Sequence, residues 1–249
     1  AGTLDLNNGA TINLANNATA NLSGGKLELA GTRSLDGITT DNNTTLQINS
    51  SGSISRSDNG TSTVGNLVLS QAGSSSGVSF GVDNMSLTVG GTSPQFNDAD
   101  ITLNSANLDF QSSPTFDNGS TLSVKNSGEL ILQSGVTISD SSLDFTSSTF
   151  KPSGTVSLTG SSHFTFDSGS SVMLEGDTTL SQSGSVTWPS IDLNGNALTL
   201  NVDNMTIDGA QSIGTGESIN SGVSNLSLNS TLTIENGGLL SSDNGSVTI

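Results

Sequence analysis

The sequence predicts an all-β fold: a right-handed parallel β-helix, or β-solenoid, with three strands per rung and about ten irregular rungs. Three observations carry this prediction. Apolar residues alternate with Ser, Thr, Asn or Asp in short units along nearly the whole chain. These units start about every eight residues, with turn signals between them. Large side chains are scarce, since hydrophobic residues are 31% and aromatic residues 4% of the 249 positions, with no Tyr.

The alternation begins with Leu4/Leu6 and Ile12/Leu14 and continues through Leu27/Leu29, Leu46/Ile48, Leu67/Leu69, Leu87/Val89 and Ile101/Leu103. Leu108/Phe110, Leu122/Val124, Val136/Ile138, Leu143/Phe145, Val156/Leu158 and Phe164/Phe166 carry it through the middle, and Val172/Leu174, Leu198/Leu200, Leu226/Leu228 and Leu232/Ile234 toward the end. Residues i and i+2 of a strand share a face, so each unit is expected to be a strand of about 3–5 residues with one buried face. Between the strands lie Asn7-Asn8-Gly9, Ser23-Gly24-Gly25, Asp41-Asn42-Asn43, Asp58-Asn59-Gly60, Asp117-Asn118-Gly119, Ser168-Gly169 and Asp243-Asn244-Gly245. Gly and Asn tolerate positive φ, and Asp or Ser side chains bond nearby amides, so these read as turns. No stretch has a helical stripe.

Val156, Phe164, Val172 and Leu180 are eight apart, as are Leu4 and Ile12, and Leu122 and Leu130. Three such strands per coil give rungs of roughly 20–25 residues and, at about 4.8 Å per rung, a rod on the order of 50 Å long. A narrow interior of this kind takes Leu, Val and Ile, and turn Asn residues can stack in ladders. An antiparallel sandwich or barrel also alternates, but its strands are longer and its core side chains larger. Disorder fits a Ser/Gly/Asn/Thr-rich chain, but not one with only 11% charged residues and paired apolar positions.

Similar segments recur at unequal distances. Phe80-Gly81-Val82-Asp83-Asn84-Met85 resembles Leu200-Asn201-Val202-Asp203-Asn204-Met205, and Leu108-Asp109-Phe110 resembles Leu143-Asp144-Phe145. Phe116-Asp117-Asn118-Gly119 resembles Phe166-Asp167-Ser168-Gly169, and Leu4-Asp5-Leu6-Asn7 resembles Ile191-Asp192-Leu193-Asn194. Rungs of varying turn length produce this. Residues 1–249 therefore read as one solenoid segment, with 50–63, 72–77 and 208–222 as longer turns protruding from the rod. Ala1-Gly2-Thr3-Leu4 lacks Met and Val247-Thr248-Ile249 stops within the alternation, so both ends are expected to be cuts within a longer surface or filament protein.

Net charge is −17, with only five bases, Lys26, Arg33, Arg56, Lys125 and Lys151, and these are dispersed. Nucleic acid and anionic membrane surfaces are disfavoured partners. No Cys is present, which excludes disulfides, thiolate metal sites and Cys nucleophiles. No apolar run approaches a membrane span, so no membrane insertion of this segment is expected.

The candidate chemistry is sparse. The one histidine, His163, falls outward beside Thr165, and Asp167 shares that parity. A catalytic base needs an orienting carboxylate and a nucleophile, and the reading here is an exposed His. Trp188-Pro189 is a candidate exposed anchor, with interior packing favoured. Gly24-Gly25, Gly90-Gly91 and Gly237-Gly238 do not continue as calcium β-roll repeats, so Asp/Asn turns offer at most adventitious calcium. The sequons at Asn17, Asn21, Asn59, Asn84, Asn118 and Asn204 are those expected by chance from this composition. Thr61-Ser62-Thr63 and Thr231-Leu232-Thr233 lack the regularity of an ice-binding face. No catalytic residue, metal site or cofactor is predicted, and no ligand-binding residue is assigned.

With its Leu-Asp-Leu-Asn-Asn-Gly and Ser-Thr-Leu-Ser-Val units, the chain resembles the β-helical passengers of bacterial autotransporters and filamentous-haemagglutinin-like adhesins. The likeness covers the whole length, is one of texture, and departs in the lack of Tyr. It implies a secreted, cell-surface, non-enzymatic rod that displays or connects. The expected partner is another copy added end to end or the continuation of the same chain. The alternative is an adhesin binding a host or glycan surface through protruding turns.

Overall fold

The computed structural model of the chain describes residues 3–6, 20–22, 25–48, 50–69, 78–91 and 94–249. Every strand pairing is parallel and, among the described residues, there is no helix. The strands stack into three faces visited in the same cyclic order. The first face begins with Thr3–Leu6, Gly25–Leu29, Thr44–Ile48 and Asn66–Leu69 and resumes at Gln95–Asn97, Thr115–Asp117, Gly135–Ser139 and Gly154–Thr159. The second runs from Arg33–Ser34 through Ser79–Asp83, Asp100–Asn104, Thr121–Lys125 and Ser142–Thr146 to His163–Phe166. The third includes Thr61–Val64, Ser86–Val89, Asn107–Phe110, Glu129–Leu132, Thr149–Pro152 and Ser171–Met173. The result is a β-solenoid of about ten turns with rungs of three strands, as the alternation predicts.

The register sets the rung length. Ile101 pairs with Leu122, Leu122 with Leu143, and Leu143 with Phe164, each 21 residues on. One face therefore takes seven residues, not eight. The run of eights at Val156, Phe164, Val172 and Leu180 is one long rung, in which Val156 pairs with Leu180. The look-alike segments lie on different faces: Phe80 is on the second and Leu200 on the first, Leu108 on the third and Leu143 on the second. Their spacing of 35 residues is five faces of seven.

Inward positions form continuous columns. Ile101, Leu122 and Leu143 are each at most 1% exposed, as are Leu108, Leu130 and Phe150 on the third face. Phe96 stacks on Phe116 at 5.0 Å and Phe145 on Phe166 at 4.9 Å, so even the few aromatics lie along the rod axis. Corners repeat with the same step. Val78, Ala99, Ser120, Ser141 and Ser162 occupy one corner at 21-residue intervals. The buried Ser120 hydroxyl donates to the Phe96 and Asp117 carbonyls at 3.1 and 2.7 Å and accepts from the Ala99 amide at 3.1 Å. Ser162 bonds to the Ile138 and Thr159 carbonyls and accepts from the Ser141 amide in the same way. Asn side chains also ladder between rungs, Asn118 to Asn97 at 2.8 Å and Asn126 to Asn104 at 2.7 Å.

Three expectations need correction. Residues 50–63 and 208–222 are not protruding turns. The first holds the strands Gly52–Ser55 and Thr61–Val64 around a short turn, and the second holds Gln211–Ile213 and Ser218–Asn220. Their Ser, Asn and Gly content reflects tight corners rather than projections. Residues 72–77, Ile12/Leu14, Asn7-Asn8-Gly9 and Asn17 lie outside the described residues. Two strands, Thr178–Pro189 and Ala197–Asp208, run for 12 residues each. Earlier corners between the first and second faces turn on left-handed residues such as Asp98, Asn118 and Asp140. At Gln182–Ser185 the chain instead bends through a bulge and remains a strand across the corner.

On the third face, backbone pairing ends between Ile191–Asp192 and Gln211–Ile213, and a side chain replaces it. The Gln211 amide donates to the Ile191 carbonyl at 2.8 Å and accepts its N–H at 3.0 Å. Ser120→Ala is expected to lower stability by about 1–3 kcal/mol, because it strands the buried Ala99 amide. Chemical denaturation of the two proteins checks this.

Candidate functional site

In the stacked rod, two places depart from the pattern, and both follow from strands that lack a neighbour. The first is the last described rung. Its strands Leu232–Ile234, Leu239–Ser241 and Val247–Thr248 each pair on one side only, with Gln211–Ile213, Ser218–Asn220 and Asn225–Leu228. The inward columns run straight into this rung. Ile213 is fully buried but its column partner Ile234 is 47% exposed. Leu226 is 1% exposed and its partner Val247 37%, and the next inward position, Ile249, is 73% exposed. Leu232 and Leu240, inward in the same rung, are only partly covered. Five aliphatic side chains thus present the hydrophobic interior at one end of the rod, beside open strand edges.

The second is a break in the second face. His163–Phe166 pairs with Ser142–Thr146 and ends its ladder there. The next strand over this face, the second half of Thr178–Pro189, pairs with Asn204–Asp208. A sharply turned corner at Thr159–Ser162 does not stack on an extended one at Gln182–Ser185, so the backbone ladder stops. The Gln182 side chain reaches back to the Ser162 carbonyl at 3.4 Å. Phe164 and Phe166 sit at inward parity under Leu143 and Phe145, yet are only partly buried.

The structure brings Asp167 and Trp188-Pro189 together at this break and leaves His163 apart. His163 is exposed, and its Nδ1 lies 3.2 Å from the Ser161 carbonyl. Asp167, exposed at the other end of the same strand, accepts through Oδ1 from the Ser147 and Gly169 amides and the Ser170 hydroxyl. These bonds, the Ser147 amide foremost, hold its carboxyl below the usual range. Trp188 is fully buried, set edge-on to Phe150, Phe164 and Phe166 at 5.9, 5.7 and 6.5 Å, so it is not an exposed anchor.

Gly91 and Gly238 serve close approach between rungs. A Cβ on Gly91 would stand 1.8 Å from the Gly65 carbonyl oxygen, and one on Gly238 2.3 Å from that of Ile213. Among the described residues no group of three or more His, Cys, Asp or Glu is placed to hold a metal ion. Lys151 lies on the outer third face between Glu129 at 2.9 Å and Glu175 at 3.8 Å. Reading the sequence at steps of eight missed the Ala99–Ser120–Ser141–Ser162 corner. A comparison of the sequence with itself at a shift of 21 exposes it.

Compared with known proteins, the chain matches no family model, no curated protein and no solved structure.

The Asp167 carboxylate is favoured in its ionised form, so its contribution to stability is complete above about pH 4, the ordinary Asp range. It is lost as pH falls through the depressed folded value. The difference in unfolding midpoint between the protein and Asp167→Asn should therefore shrink on acidification. Thermal unfolding measured across that range checks the sign.

Proposed function

We propose that the chain is a stiff, non-enzymatic segment of an extracellular rod, extended along its axis by another β-solenoid rung docking on the open terminal rung. The observation that carries this reading is the exposed set Leu232, Ile234, Leu240, Val247 and Ile249. Each continues an inward column. Their burial requires a surface with matching columns, and the unpaired strand edges around them require parallel strands. A second copy of this chain, or further residues of the same polypeptide, supplies both. Stacked parallel rungs resist bending because every rung is bonded to its neighbours along the whole perimeter.

The β-solenoid is compatible with the passengers of autotransporters and haemagglutinin-like adhesins, and that resemblance supports placement outside the cell. The absence of catalysis is supported by the chemistry of the polar groups. The Asp167 carboxyl is pushed down, the wrong direction for a general acid. The one imidazole faces solvent beside a backbone carbonyl.

Light scattering and small-angle X-ray scattering on a concentration series test the docking. The expected result is association that lengthens the particle at constant cross-section, and its abolition in Ile234→Asp/Leu240→Asp, with the circular dichroism of the strands retained. A strictly monomeric protein at millimolar concentration, or association unchanged in the variant, contradicts docking of a second copy and leaves continuation of the same polypeptide as the source of the next rung.

A further inference from the structure

The break in the second face opens a cleft of about 550 Å³. This lies within the roughly 300–1,000 Å³ of small-molecule sites. Its floor is apolar, made by the partly covered Phe164 and Phe166 and by Pro189. Asp167, Thr187 and Asp208 also line it. Behind them is Trp188, fully buried, whose indole Nε1 has no hydrogen-bond partner. Buried indole N–H groups ordinarily find an acceptor.

We propose that this cleft binds a neutral oligosaccharide. The occupant must suit aromatic rings and carboxylate acceptors at once. A sugar ring does so, since its C–H faces pack on aromatic rings while its hydroxyls donate to carboxylates. Asp167 is preset for this. Its Oδ1 accepts from the Ser147 and Gly169 amides and the Ser170 hydroxyl, which fixes the orientation of the carboxylate. Acidic sugars and phosphates are opposed by the two carboxylates and by the net charge of −17. An extended peptide adding to the open edge is opposed by Pro189, which has no N–H to offer an incoming strand. The site is on the side of the rod and is independent of docking at its end.

Trp188 is the sole Trp and there is no Tyr, so intrinsic fluorescence reports on this cleft alone. Titrations with cellohexaose, maltohexaose, laminarihexaose and mannohexaose, followed by Trp emission and by calorimetry, form the test. An acidic galacturonate oligomer and an extended Thr/Val peptide serve as comparators. The expected result is saturable binding of at least one neutral oligosaccharide. Asp208→Asn should weaken it about tenfold, the loss of one charge-assisted bond. Thr187→Arg should block the cleft and abolish it, with melting temperature unchanged in both variants. No binding of any neutral oligosaccharide at millimolar concentration overturns the proposal. So does binding unaffected by both variants, or saturable binding of the acidic oligomer or peptide alone.

Discussion

Along the ladders of the described strands, backbone amides are bonded to carbonyls one rung away, and that requirement governs the rest. Parallel strands held in register, mostly about 21 residues apart, place paired side chains directly above their counterparts. An inward residue must then fit copies of its own environment on both sides, which selects Leu, Val and Ile and takes Phe partly where rings stack along the axis, as Phe96 on Phe116 and Phe145 on Phe166. Corner residues are bound by the same rule. Ser120 succeeds because its hydroxyl completes the bonding of the Ala99 and Asp117 backbone, and Gly91 because no side chain fits against the Gly65 carbonyl.

That constraint explains why so much of the fold was legible. The alternation Leu122-Ser123-Val124 states which side is inward, and burial follows it residue by residue. What stayed hidden was set by contacts between rungs. The seven-residue face was obscured because the clearest spacing, from Val156 to Leu180, belongs to a rung of 24 residues. The long strands at Thr178–Pro189 and Ala197–Asp208 were unreadable because a bend within a strand and a left-handed turn use the same Ser, Gly and Asn residues. Trp188-Pro189 was legible as interior packing, but not as the back of a cleft, because the cleft arises from a mismatch between two corners distant in sequence.

Function, on this account, resides where stacking stops. A strand with two neighbours has its polar backbone and inward side chain satisfied, and has little left with which to recognise anything. The terminal rung retains open edges and exposed columns, which suit another rung. The break beside Phe164 retains partly covered aromatic rings and an oriented carboxylate, which suit the proposed ligand with both apolar and hydroxyl surfaces. On the proposed reading, the rod supplies stiffness and spacing, and the two interruptions supply chemistry.

The register is the claim on which all of this rests, and distances along one outward column measure it most directly. Ser53, Gly81, Thr102, Ser123, Asp144 and Thr165 are successive members of such a column on the second face. With no native Cys, nitroxide pairs can be placed at Ser53/Ser123, Ser53/Asp144 and Ser53/Thr165 and read by double electron–electron resonance. In-register stacking predicts separations that grow by about 4.8 Å for each rung, to about 24 Å for the last pair. Separations that do not increase in equal steps, or that shorten as the sequence distance grows, would contradict it.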